Sequence, residues 1–308
     1  MMMRASIRAA LGIAALVFVP GGELARAERP PNAYFDSAGV KLRYVDVGAG
    51  PPLVLVHGFA VNIEVQWSKT LTSLAKDFRV IALDCRGHGL SGKPHDAAAY
   101  GLEMVEDVVR LLDHLQIEQA HLMGYSMGTL IVSRVAAAHP DRIRSVVLAG
   151  GGVELDAKLQ DSLGELADSL ATNHSMAPLI RELTPPGQRE PTARELEAAS
   201  RVLMFFNDPL ALAAVVRSFS QIDRGSEDLL APLQKIPMLA VMGNRDPLRR
   251  CLDDLRRSVP HVEVVMTPGD HASMPAHPEF EQAVMHFMTQ HRFITSTSGK
   301  ANEAATSP

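Results

Sequence analysis

The sequence predicts an α/β domain: a mostly parallel central β-sheet flanked by helices on both faces, with a helical insertion late in the sheet. Short apolar strand patterns alternate with amphipathic helical patterns along the chain. The strand patterns are almost continuously apolar, which is typical of parallel strands covered on both faces. The predicted strands are 42–47, 53–56, 79–83, 120–124, 144–148, 236–242 and 262–266.

A long segment without strand character separates the last two predicted strands from the others. Its first part carries leucines at helical spacing, namely Leu155, Leu159, Leu163, Leu166 and Leu170. Thr184-Pro185-Pro186-Gly187 then breaks the chain before two more helical patterns. We interpret residues 154–230 as a helical cap over the edge of the sheet, and residues 28–153 and 231–293 as the core. We expect most of the leucines to pack the cap rather than to line a pocket.

Both ends of the chain differ in composition from the predicted core. Arg4 and Arg8 precede an apolar run at 9–19, and Ala25-Arg26-Ala27 follows, which is typical of a secretory signal peptide. We therefore expect residues 1–27 to be removed after Ala27 and the mature protein to be secreted or periplasmic. The apolar run is too short to span a bilayer, which takes about twenty residues, so no stable membrane anchor is expected. Residues 294–308 are small and polar and predict a disordered tail.

Charge and length limit the possible function classes. The chain has 308 residues and a formal charge of −5. Removal of residues 1–27 takes away Arg4, Arg8, Arg26 and Glu23, which leaves 281 residues and a charge of −7. That length suits one domain, and an acidic protein lacks the basic surface that nucleic acids require. No pattern indicates the oligomeric state.

Cysteine and histidine usage predicts no metal site and no cofactor. Only Cys85 and Cys251 are present, and we expect them to be two separate thiols. Neither cysteine lies beside a histidine at metal-ligand spacing, and no helical histidine pair carries the glutamate of a zinc protease.

The segment Gly124-Tyr125-Ser126-Met127-Gly128 joins a predicted strand to a helical run at 127–139. A strand that turns sharply into a helix brings backbone segments close together, so both ends of this pentapeptide need small residues. The turn strains Ser126 and lifts its hydroxyl above the sheet. This context predicts a nucleophilic serine.

A serine hydroxyl needs a base and a carboxylate that orients the base. His271 follows the strand at 262–266, and Asp246 follows the strand at 236–242. The carboxyl ends of parallel strands meet at one edge of a sheet, so both side chains are expected to lie near Ser126. The order serine, aspartate, histidine along the chain also matches the order that strand-turn-helix nucleophiles use.

An acyl-transfer site also needs amide donors for the oxyanion. The backbone NH of Met127 is one candidate, because it opens a helix. The second is the NH of Phe59, in the loop His57-Gly58-Phe59-Ala60 after the second predicted strand, where Gly58 lets the backbone turn.

These motifs together resemble the α/β-hydrolase fold family, specifically its compact esterase, lactonase and haloperoxidase-like members. The resemblance covers about residues 33–291 and is carried by HGF at 57–59, DCRGHGLS at 84–91, GYSMG at 124–128, GNRD at 243–246 and GDH at 269–271. It implies that Ser126 is the nucleophile, His271 the general base and Asp246 its orienter, with Phe59 and Met127 forming the oxyanion hole. Epoxide hydrolases and haloalkane dehalogenases carry aspartate at the nucleophile position, so Ser126 argues against both.

The sequence thus predicts a serine hydrolase that cleaves a small-molecule ester or lactone through an acyl-enzyme. A perhydrolase with the same residues, a carbon-carbon bond hydrolase and a non-catalytic ligand-binding homologue remain alternatives.

Other polar residues receive structural interpretations. His57 and His88 are expected to be hydrogen-bonded scaffold, and Asp84 and Arg86 to tie loops together. Two residues are reserve candidates for the site: His277 as the base and Asp156 as the orienter.

Overall fold

The computed structural model describes residues 30–155, 157–223 and 230–292. The predicted signal peptide at 1–27 and the predicted tail at 294–308 lie outside these residues. Within them the chain forms one eight-stranded sheet in the order β1-β2-β4-β3-β5-β6-β7-β8. The strands are β1 (Ala33–Ser37), β2 (Val40–Val47), β3 (Pro52–Val56), β4 (Arg79–Leu83), β5 (Ala120–Tyr125), β6 (Ile143–Ala149), β7 (Met238–Gly243) and β8 (Glu263–Thr267).

The sheet is mostly parallel, as predicted. Six strands run parallel to one another, in the order β4, β3, β5, β6, β7 and β8. Strands β1 and β2 are antiparallel additions at one edge. The sequence prediction lacked β1. Ala38 and Gly39 form the turn that joins β1 to β2, and their φ values are 51° and 81°.

Helices cover both faces of the sheet. They are α1 (Ile63–Leu74), α2 (Leu102–His114) and α3 (Met127–Ala138), and after the cap α8 (Leu252–Ser258) and α9 (Pro278–Gln290). Side chains of a strand alternate between faces. Leu53 and Leu55 of β3 therefore pack with α1 and α9 in one apolar cluster. Val54 and Val56 pack with α2 and α3 in the other cluster.

The described residues between β6 and β7 form helices joined by loops and contain no strand. They include α4 (Ala157–Asn173), α5 (Ala177–Glu182), α6 (Ala193–Phe205) and α7 (Pro209–Asp223). We keep the name cap for this segment, with its limits at 154 and 230 as an interpretation. Its buried Leu170, Leu203 and Leu212 belong to the same apolar cluster as Leu130 of α3. The cap therefore shares an apolar core with the face of the sheet that α2 and α3 cover.

Among the described residues, no single helix is long and apolar enough to cross a membrane. One pair of helices in the same residues, Ala193–Phe205 and Pro209–Ile222, has the length and composition of a span when taken together, and it is bent by 99°.

Candidate active site

Ser126 occupies a strained turn between β5 and α3. Its φ of 51° and ψ of −116° are values that L-residues rarely adopt. A Cβ at Gly124 would lie 2.3 Å from the Gly128 carbonyl oxygen, and a Cβ at Gly128 would lie 2.2 Å from the Val56 carbonyl oxygen. Backbone crowding thus requires glycine at both positions, as the sequence argument predicted.

The predicted residues Ser126, His271 and Asp246 form a continuous hydrogen-bonded chain. His271 Nδ1 lies 2.8 Å from Asp246 Oδ2, and His271 Nε2 lies 2.9 Å from Ser126 Oγ. Asp246 is fully buried and can only accept from the imidazole, so Nδ1 carries the proton. Nε2 is then left as the acceptor for the serine hydroxyl. This arrangement can take a proton from Ser126 as the hydroxyl attacks a carbonyl.

The loops that carry Asp246 and His271 are bound to each other by their backbones. Asn244 NH donates to the Thr267 carbonyl at 2.8 Å, and Arg245 NH donates to the Gly269 carbonyl at 2.9 Å. The second carboxylate oxygen of Asp246 accepts from Leu248 NH at 2.9 Å. These bonds fix the carboxylate against the imidazole without involving the substrate.

The environment of His271 raises its pKa above the ordinary value of 6.5. Burial is the largest single influence and lowers the pKa, because it disfavours the imidazolium. The charge of Asp246, its hydrogen bond and the charge of Asp270 act in the opposite direction and together outweigh burial. The site therefore stabilises the protonated imidazole that forms when His271 accepts a proton.

Tyr125 supports the same histidine, which the sequence argument missed. Its hydroxyl donates to the His271 backbone carbonyl at 2.6 Å. Burial raises the pKa of this phenol well above its usual value, and the charges of Asp246 and Asp270 add to the rise. The hydroxyl therefore stays a donor. The sequence carries no signal for this role, since Tyr125 occupies the variable position between the glycine and the serine.

The two predicted oxyanion donors, Phe59 and Met127, line one pocket together with Ser126 and His271. Met127 is the first residue of α3, so its NH has no acceptor within the helix. This position makes it available to a bound oxyanion.

His57 holds the loop that carries Phe59. Its Nε2 accepts from Cys85 NH at 3.0 Å, so its Nδ1 is the donor to the Gly58 carbonyl at 2.7 Å. Burial lowers the pKa of His57 and keeps it neutral. The scaffold interpretation of this histidine is confirmed. His88 is likewise buried, with its Nδ1 3.0 Å from the Arg86 carbonyl, and burial lowers its pKa to about 3.

Asp84 and Arg86 tie loops together, as predicted. The fully buried Asp84 accepts from Ile63 NH, Leu90 NH and the Arg43 guanidinium, each at 2.9 Å. Arg86 is paired with Asp107 of α2.

The pocket above Ser126 is mainly apolar, and the cap supplies much of its wall. The cap residues that line it are Glu154, Leu155, Leu159, Leu163, Leu166, Met176, Leu179, Ile180, Leu183, Leu203 and Phe219. Four of the leucines assigned to the helical stripe are among them. The expectation that most of these leucines only pack the cap was therefore wrong. The helical spacing identified the apolar side of the helix, but it did not show whether that side contacts the core or a pocket.

Of the two reserve candidates, His277 lies within the described residues. His277 precedes α9, while His271 occupies the position beside Ser126. Asp156 lies outside the described residues. Cys85 and Cys251 are both buried and are not joined in a disulfide. Across residues 30–155, 157–223 and 230–292, no group of three or more metal-ligating side chains is arranged around a common point.

An eight-stranded sheet with a strained serine after β5 and a buried Asp-His pair after β7 and β8 defines a hydrolase-type α/β fold. A family model described as the alpha/beta hydrolase fold matches residues 51–183. A dihydrolipoyllysine-residue acetyltransferase component of an acetoin cleaving system from Pseudomonas putida is 31% identical over 281 residues, which cover 89% of this chain and 74% of that protein. The chain belongs to the α/β-hydrolase fold family.

Two further relatives show the range of the similarity. A 2-hydroxymuconate semialdehyde hydrolase from Pseudomonas sp. strain CF600 is 40% identical over 116 residues, covering 37% of this chain and 41% of that hydrolase. The crystal structure of a carboxylesterase from the thaumarchaeon Nitrososphaera gargenis has a TM-score of 0.69 and 24% identity, covering 84% of this chain and 98% of that one. The comparisons support hydrolase activity.

Proposed function

We propose that this protein is a serine hydrolase that cleaves carboxylic esters or lactones through an acyl-enzyme. Ser126 attacks the substrate carbonyl while His271 Nε2 takes its proton. The amides of Phe59 and Met127 stabilise the negative oxygen of the tetrahedral intermediate. His271 then protonates the leaving alkoxide, and the acyl group remains on Ser126.

Water completes the cycle through the same groups. His271 takes a proton from water, the resulting nucleophile attacks the acyl carbonyl, and Ser126 leaves with the proton that His271 returns. Asp246 stabilises the imidazolium in both halves of the reaction. The products are a carboxylic acid and an alcohol, or one hydroxy acid from a lactone.

The hydrogen-bonded chain from Ser126 through His271 to Asp246 carries this proposal. Both of its bonds have ordinary hydrogen-bond lengths, 2.9 Å and 2.8 Å. Ser126 and His271 line an apolar pocket, and an apolar pocket is a suitable binding site for an uncharged carbonyl compound.

Turnover of an activated short-chain ester by Ser126→Ala tests the proposal. We expect kcat to fall by up to about a million-fold, as in well-studied triads. Ser68→Ala is the control, because Ser68 is an exposed serine of α1. A folded Ser126→Ala protein that hydrolyses the ester at the wild-type rate would refute the proposal.

The proposed location is outside the cytoplasm, and it rests on the sequence pattern at 1–27. Expression of the full chain in a bacterium, followed by fractionation and amino-terminal sequencing, tests it. The proposal predicts a periplasmic or secreted protein that starts at Glu28. A full-length chain in the cytoplasm would contradict it.

A further inference from the structure

The pocket above Ser126 has a distinctive charge composition. Most of its described lining residues are apolar or glycine: leucine, isoleucine, methionine, phenylalanine, alanine, valine, proline and glycine. None of the described lining residues is lysine or arginine. The one carboxylate among these lining residues is that of Glu154. An anionic group placed there would lose its hydration and find no lysine or arginine partner.

One wall of the pocket is lined by leucines from α4, from α5 and from the residues next to these helices. Leu155, Leu159, Leu163 and Leu166 follow each other at helical spacing and all line the pocket. Leu179 and Leu183 come from α5 and the residue that ends it. We call this wall of six leucines the acyl chamber.

We propose that the acyl chamber selects uncharged, apolar acyl groups and rejects acyl groups that carry a second carboxylate. This inference rests on the proposed function and names its substrate class: alkanoyl esters and alkyl-substituted lactones.

A matched pair of activated esters tests the selection: the octanoyl ester and the half-ester of suberic acid. The two acyl chains have the same length and differ only in a terminal methyl or carboxylate group. We expect kcat/KM to favour the octanoyl ester on the order of a hundredfold or more. The same alcohol is used in both, so the comparison reports on the acyl side.

Two chamber variants locate the source of the selection. Leu159→Arg adds a cation to the wall at a half-buried position, and Glu154→Gln removes a negative charge. Each variant is expected to lower the octanoyl-to-suberyl ratio of kcat/KM, Leu159→Arg by about tenfold or more. Leu210→Arg is the matched control, because Leu210 is exposed on α7 and does not line the pocket. It adds the same charge without changing the ratio.

Acetyl ester turnover and labelling by a fluorophosphonate probe accompany every measurement. A wild-type protein with neither reaction fails as a serine hydrolase, which is a failure of the proposed function. A wild-type protein that reacts with both but hydrolyses the suberyl half-ester as well as the octanoyl ester overturns the acyl-chamber inference alone. A ratio unaffected by Glu154→Gln and by a folded Leu159→Arg also overturns it.

Discussion

The hydroxyl of Tyr125 donates a 2.6 Å hydrogen bond to the backbone carbonyl of His271. Tyr125 immediately precedes Ser126 in the chain. One residue therefore links the strained serine turn to the loop that carries the base. The tyrosine ring also lies 5.7 Å from the imidazole ring, centre to centre.

Tyr125→Phe is predicted to weaken this link while the ring packing remains. A buried hydrogen bond of this kind contributes about 0.5–1.5 kcal/mol. We therefore expect kcat/KM for an activated ester, and the rate of fluorophosphonate labelling, to fall by about three- to tenfold. Tyr34→Phe is the control, since Tyr34 lies on the edge strand β1 and is 38% exposed. Unchanged rates in Tyr125→Phe would show that the bond does not position His271.

Asp246→Asn is predicted to reduce kcat by about 10⁴-fold, the effect of this replacement in a serine protease triad. The asparagine amide can donate to Nδ1, which favours the imidazole tautomer with its proton on Nε2. That tautomer cannot accept the proton of Ser126. The control Asp253→Asn changes a carboxylate that is 89% exposed on α8. A kcat for Asp246→Asn within tenfold of the wild-type value would remove Asp246 from the mechanism.

The pH dependence of kcat/KM follows from the raised pKa of His271. The base works when neutral, so kcat/KM falls as pH falls through the pKa of His271 in the free enzyme. Because the net shift is upward, the apparent pKa of this acidic limb is expected above 6.5. An acidic limb with an apparent pKa below 6.5 would contradict the conclusion that Asp246 and Asp270 together outweigh burial in setting the pKa of His271.

Asp270→Asn is predicted to move the acidic limb to lower pH. Asp270 is one of the charges that raise the pKa of His271, and its side chain is 21% exposed. Asparagine can still accept the hydrogen bonds that Asp270 receives from Ser273. The kcat/KM profile of Asp270→Asn is compared with that of Asp253→Asn. Coincident profiles would show that the Asp270 charge does not reach the imidazole.

Gly128→Ala is predicted to destabilise the fold by about 3 kcal/mol. Its Cβ would lie 2.2 Å from the Val56 carbonyl oxygen and 2.9 Å from that of His57, and both are backbone atoms. Gly164→Ala is the matched control within helix α4, where a Cβ meets nothing within 4 Å. We expect this control to stabilise the protein by about 0.5–1 kcal/mol. Urea unfolding measures both, and similar changes in the two variants would refute the packing argument.

The convergence of Ser126, Asp246 and His271 was predictable from the sequence. Each residue follows an apolar strand, and parallel strands place their carboxyl ends at one edge. The glycines at 124 and 128 were predictable for a similar reason, because a sharp strand-to-helix turn brings backbones close. These inferences need only local pattern and the geometry of a parallel sheet.

Other features depend on tertiary contacts that no local pattern specifies. The five residues of β1 become a strand through a hairpin whose turn has positive φ at Ala38, a conformation uncommon for alanine. The leucines of α4 show the period of an amphipathic helix whether they face a core or a pocket. The bond from Tyr125 to the His271 carbonyl joins residues 146 positions apart.

The most direct test of the central claim is to trap the acyl group on the protein. Wild-type protein is mixed with an activated ester, quenched in acid during the first turnover and digested for mass spectrometry. The account predicts the mass of the acyl group on the peptide that contains Ser126, together with a burst of released alcohol. Alcohol release with no acylated Ser126 peptide, or with the acyl group on another residue, would contradict it.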